Sequence, residues 1–85
     1  MALELGLIPE FSRQQIRNSL LAGITLAAAQ PDPVVLAAML LAFQHQALAF
    51  GIQWPELLQD AATILPTRAG EWLLAVSQDK VLLDR

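Results

Sequence analysis

Very few side chains in this chain could do chemistry. His45 is its one histidine, set between Gln44 and Gln46 in an otherwise apolar stretch, residues 33–50. An imidazole can move a proton or bind a metal, but both tasks need partners. On a helix its neighbours at three and four residues' distance are Leu41, Ala42, Leu48 and Ala49. None is a carboxylate or a second ligand, so the expected role of His45 is a hydrogen bond at an interface or core edge. Gln44, His45 and Gln46 together sweep about 200° of a helix circumference. Two readings follow. One of the three faces a neighbouring element and fixes register, or they form a polar stripe at the helix's open edge.

Arg13 and Arg17 stand four apart at the start of an expected helix. They could hold an anion near its positive end, or form a solvated face paired with Glu10 or another acid. The carboxylates Glu56, Asp60, Glu71, Asp79 and Asp84 show no pairing that implies a cleft. Ser12, Ser19 and Ser77 have no base nearby in sequence. Gly6, Gly23, Gly51 and Gly70 are isolated, so no glycine-rich phosphate loop exists. Cysteine is absent, which removes disulfides, thiolate metal sites and thiol catalysis. The expectation is a protein that is not an enzyme and carries no cofactor or metal.

Composition points to association instead. Of 85 residues, 55% are hydrophobic and 15% charged. A small domain has too little interior to hide that much apolar surface. A symmetric homodimer is the commonest way to cover the surplus, and a different protein partner is the next. The net charge of −3, with five basic residues spread along the chain, argues against nucleic acid. The start of the chain lacks the basic segment of a secretory signal, and a cysteine-free chain suits a reducing cytoplasm. The run 34–52 is long enough in principle to span a bilayer. Its central Gln-His-Gln and its lack of flanking Lys, Arg or aromatic belts make a membrane location unfavourable.

The elements that must position these residues read as helices. Leu3, Leu5 and Leu7 alternate with other residues, suggesting an extended arm over 2–11 that Pro9 terminates. Ser12 and Gln15 have the spacing of a capping box, and Phe11 and Ile16 that of a hydrophobic staple. A first helix is therefore expected over about 12–29. Asp32 and Pro33 are a favoured N-cap and first-residue pair, opening a second helix over 33–50 that Gly51 stops. In that helix Leu36, Leu40, Phe43, Ala47 and Phe50 form a heptad seam. Val35, Met39, Ala42 and Ala49 form a second row, and Val34, Leu41 and Leu48 a third. A helix apolar on most sides is expected to be covered on most sides.

Pro55 and Glu56 start a third, amphipathic helix over 55–65, which ends before Pro66. The tail reads as a fourth helix over 67–80. Its alternative is a β-hairpin of 72–76 and 81–83 joined through Ser77-Gln78-Asp79-Lys80, which would make the N-terminal arm a third strand. Trp54 and Trp72 are large anchors, suited to a core or to an interface.

The expected fold is thus one mainly α domain, an antiparallel bundle of three to four helices with an extended arm; the alternative is α+β. The expected function is a non-catalytic, self-associating interaction or adaptor module. Its candidate interface is Leu36, Met39, Leu40, Phe43, Gln44, His45, Gln46, Ala47, Phe50 and Trp54, with the apolar flank 20–29 beside it. The rival function is a membrane-associated helical hairpin of 19–29 and 34–52.

Overall fold

Local sequence signals decide most of the helix ends. In a computed structural model that describes residues 10–80, four helices follow one another: α1 Glu10–Ala27, α2 Pro33–Ala49, α3 Trp54–Ile64 and α4 Thr67–Ser77. No strand occurs among the described residues. The bundle is mainly α, and the α+β alternative falls. Trp72–Val76, expected as a hairpin strand in that alternative, lies inside α4, where Gly70, Leu73 and Val76 recur at helical spacing and are all buried. Residues 81–83 and the arm over 2–9 lie outside the described residues. Glu10 and Phe11, expected in the arm, are helical, so Ser12 sits within the first turn of α1 and does not cap it. A serine is tolerated there because first-turn N–H groups have no intrahelical acceptor in any case. α4 likewise closes at Ser77, short of the expected Lys80.

Both ends of α2 match their sequence signals. Asp32 is extended, and its Oδ1 accepts the Val34 N–H at 2.9 Å; Pro33 is the first helical residue. At the other end Gly51 takes φ +70°. The Ile52 N–H donates to Ala47 O at 2.8 Å and the Gly51 N–H to Leu48 O at 3.1 Å. That pair of bonds is a Schellman cap, and Ile52 folds back beside Ala47 into the core.

α1 and α2 run antiparallel. They touch where a Cβ on Gly23 would lie 2.8 Å from Cε1 and Cζ of Phe43, and these two residues stand equally far on either side of Pro33. α3 packs mainly on α4 and α1, while α2 packs mainly on α1 and less on α4 and α3. At the α3–α4 crossing a Cβ on Gly70 would lie 2.6 Å from the Ala62 carbonyl oxygen. Ile24, Leu36, Leu40, Leu57 and Leu73 are the largest fully buried side chains, drawn from all four helices.

Polar contacts fasten the outside. The Trp72 indole N–H donates to Gln30 O at 3.0 Å, tying α4 to the connection between α1 and α2. Trp72 also packs against the core, the role expected of a large anchor. Arg17 pairs with Asp60 between α1 and α3. Both are partly exposed, so the pair contributes about 0.2–1 kcal/mol. No polar or charged residue is buried among the described residues, and apolar packing therefore carries the fold.

Candidate interaction site

The structure divides the ten candidate interface residues into three groups. Leu36, Leu40 and Ala47 are 0%, 1% and 0% exposed. They belong to the chain's own core and leave nothing for a partner to touch, so the candidate interface moves off the central seam. Met39, Phe43, Phe50 and Trp54 are half-buried and pack against that core. Gln44 is half-buried, whereas His45 and Gln46 are exposed on the outer side of α2. Of the polar trio, one residue faces other helices and two face outward.

Among the described residues, α2 is covered on one side only. The row at the opposite side, Val35, Ala38, Ala42, His45 and Ala49, is exposed throughout. Val34 is 43% exposed and Leu48 62%. The three other described helices, of 18, 11 and 11 residues, pack also on one another and do not encircle α2. Of the two outer rows visible in the sequence, Val35, Ala42 and Ala49 of one and Val34 and Leu48 of the other are exposed, while Met39 and Leu41 are half-buried. Which of the three rows faced inward was not visible there, because an all-apolar helix has no polar side to set its rotation.

α1 extends this open face. Ser19, Ala22 and Leu26 lie beside Gly23, on the side away from Leu20 and Ile24, and are exposed; Leu26 reaches 77%. On α2, Val35, Ala42 and Gln46 lie beside Met39 and Phe43, on the side away from Leu36 and Leu40. Two antiparallel helices that meet at Gly23 and Phe43 present these sets on the same side. The joint face carries no formal charge, since Asp32 is the one charged residue between Arg17 and Glu56. Asp32 lies in the connection, with its carboxylate on the Val34 N–H.

A second feature lies elsewhere. A groove of about 380 Å³ opens between α2, α3 and α4. Leu40, Leu58 and Leu74 supply apolar floor, and Trp54 and Pro55 an apolar wall. Gln44, Gln59, Ser77 and Gln78 supply the polar lining. Three of the ten candidates, Leu40, Gln44 and Trp54, meet here. The other six lining residues come from α3, α4 and its C-cap, and no sequence spacing could have joined them to Gln44.

Neither feature assembles reactive groups. Among the described residues no group of three His, Asp or Glu side chains could hold a metal ion. Arg17, one of the pair considered for an anion, is engaged by Asp60. No described helix is long and apolar enough to cross a membrane; at 17 residues α2 is about 25 Å long against a hydrocarbon core of about 30 Å. The chain matches no protein-family model, no curated protein and no solved structure.

Proposed function

We propose that this chain is a small non-catalytic interaction module that associates with a second copy of itself through the outer face of α1 and α2. The observation that carries this reading is the exposure of Ala22 and Leu26 on α1 and of Val35, Ala42 and Ala49 on α2, two adjoining helices whose joint face has no charge. Single exposed apolar residues are ordinary, but a contiguous uncharged set is the pattern of an interaction surface. Two copies meeting through an uncharged face suffer no like-charge repulsion, which favours a self-complementary, isologous contact. Ala22, Ala38, Ala42 and Ala49 stand on that face, and small side chains let helix backbones approach closely.

The face is a small one: two helices about 25 Å long and about 20 Å across together offer about 500 Å² in projection. We propose a weak dimer on this face, with a dissociation constant in the micromolar range, suited to an adaptor that exchanges partners in a reducing cytoplasm.

Sedimentation velocity across a concentration series tests this. The native chain should shift from monomer to dimer over micromolar concentrations. Ala42→Glu, at an exposed position, should hold it monomeric with an unchanged helical spectrum, because each copy would bring a charge into the contact. A native chain that stays monomeric throughout, or an Ala42→Glu variant that dimerises as well as the native chain, would rule the reading out.

A further inference from the structure

We propose that the groove between α2, α3 and α4 is a binding site for an uncharged small molecule with an aliphatic or aromatic body and an amide or carbonyl end. Its volume, about 380 Å³, lies at the small end of the about 300–1,000 Å³ typical of ligand pockets. Its chemistry has two parts. Leu40, Leu58, Leu74 and Trp54 accept an apolar body. Gln44, Gln59 and Gln78 reach the groove from three different elements, α2, α3 and the C-cap of α4. Each amide offers two donor hydrogens and an acceptor oxygen. Among the described residues none of these three side chains has a hydrogen-bond partner, so their capacity is available to a guest. Ser77 donates its hydroxyl to Leu74 O at 2.8 Å, which leaves its oxygen lone pairs to accept.

The electrostatics narrow the class further. None of the nine lining residues is charged. A carboxylate, phosphate or ammonium entering the groove would lose water and find no opposite charge, a loss that a neutral amide avoids. The glutamines can satisfy such an amide in both directions, as donors to its carbonyl and acceptors from its N–H. This site is separate from the outer face of α1 and α2, and the inference does not depend on self-association.

Three probes sharing one isobutyl side chain test it: N-acetyl-leucinamide, which is neutral, leucinamide, a cation, and N-acetyl-leucine, an anion. Each is titrated into the 15N-labelled native chain and followed by nuclear magnetic resonance. The neutral probe should move the Trp54 indole N–H and the side-chain amides of Gln44, Gln59 and Gln78. Both charged probes should bind at least about tenfold more weakly at those signals, since about 1.4 kcal/mol of uncompensated desolvation suffices for a factor of ten. Ser77→Trp should fill the groove and abolish the response to the neutral probe. Gln59→Leu, at an exposed helix position, should weaken it several-fold while leaving the rest of the spectrum in place. Equal binding of all three probes would overturn the proposal. So would shifts gathered on the outer face of α1 and α2, shifts that follow protein concentration and ignore the probe, or an unchanged response in Gln59→Leu.

Discussion

Two glycines show how a single hydrogen atom in place of a side chain holds this bundle together. Gly23 and Gly70 both sit within helices, where alanine is intrinsically favoured by about 1 kcal/mol. Both lie where another helix comes too close for a Cβ. What each would strike differs. At Gly23 the obstacle is the far edge of the half-buried Phe43 ring, which can swing aside. At Gly70 it is the Ala62 carbonyl oxygen, which moves only if α3 and α4 part. Gly23→Ala should therefore leave stability within about 1 kcal/mol of the native chain, the helix preference offsetting the displaced ring. Gly70→Ala should lose about 2 kcal/mol or more from overpacking against backbone. Urea unfolding monitored by circular dichroism compares the two. Equal losses would mean that the two crossings are equally tight or equally yielding.

At the scale of the element, α2 is defined by its ends and left undetermined by its middle. Asp32 and Gly51 specify where it starts and stops through bonds to its own backbone. Asp32→Ala removes the acceptor for the Val34 N–H and should cost about 1 kcal/mol. Gly51→Ala meets nothing within 4 Å, so its cost is conformational only, about 1–2 kcal/mol for an L-residue held at φ +70°. The two ends are about 25 Å apart along the helix, and sites that far apart behave independently. The double variant should lose the sum of the single losses in thermal or urea unfolding. A loss clearly larger than the sum would mean that α2 frays as one cooperative piece. The middle is another matter, because 17 residues with apolar side chains nearly all round give the helix no polar side to present to water.

At the scale of the whole molecule, identical side chains do different work according to which surface they reach. Leu57 is fully buried where α3 meets its neighbours, and Leu26 is 77% exposed on the outer face of α1 and α2. Leu57→Ala should destabilise the fold by about 2–5 kcal/mol, a large fraction of the stability of a domain this small. Leu26→Ala should leave unfolding of the dilute monomer within about 0.5 kcal/mol and should raise the dissociation constant measured by sedimentation. If Leu26→Ala unfolds the monomer as Leu57→Ala does, Leu26 belongs to the core. If it leaves association unchanged, Leu26 lies outside the contact.

Helical class and most boundaries were legible in the sequence, because local chemistry decides them. Asp32-Pro33, Gly51, Pro55 and Pro66 act on backbone groups within a few residues of themselves. Leucine- and alanine-rich spacing then fills the intervals with helix. The seam of Leu36, Leu40 and Ala47 was legible too, as a periodic row, though it proves to be the chain's own core and not a contact between copies. Local signals misled at Ser12, whose capping pattern lies inside a helix already begun at Glu10. The rotation of α2, its coverage on a single side, the continuity of its outer rows with Leu26, and the meeting of Gln44, Gln59 and Gln78 in one groove belong to the tertiary structure alone. Each depends on how the described helices pack around one another and on the angle at which they cross. Those quantities arise from packing between segments distant in sequence, and no spacing along the chain encodes them.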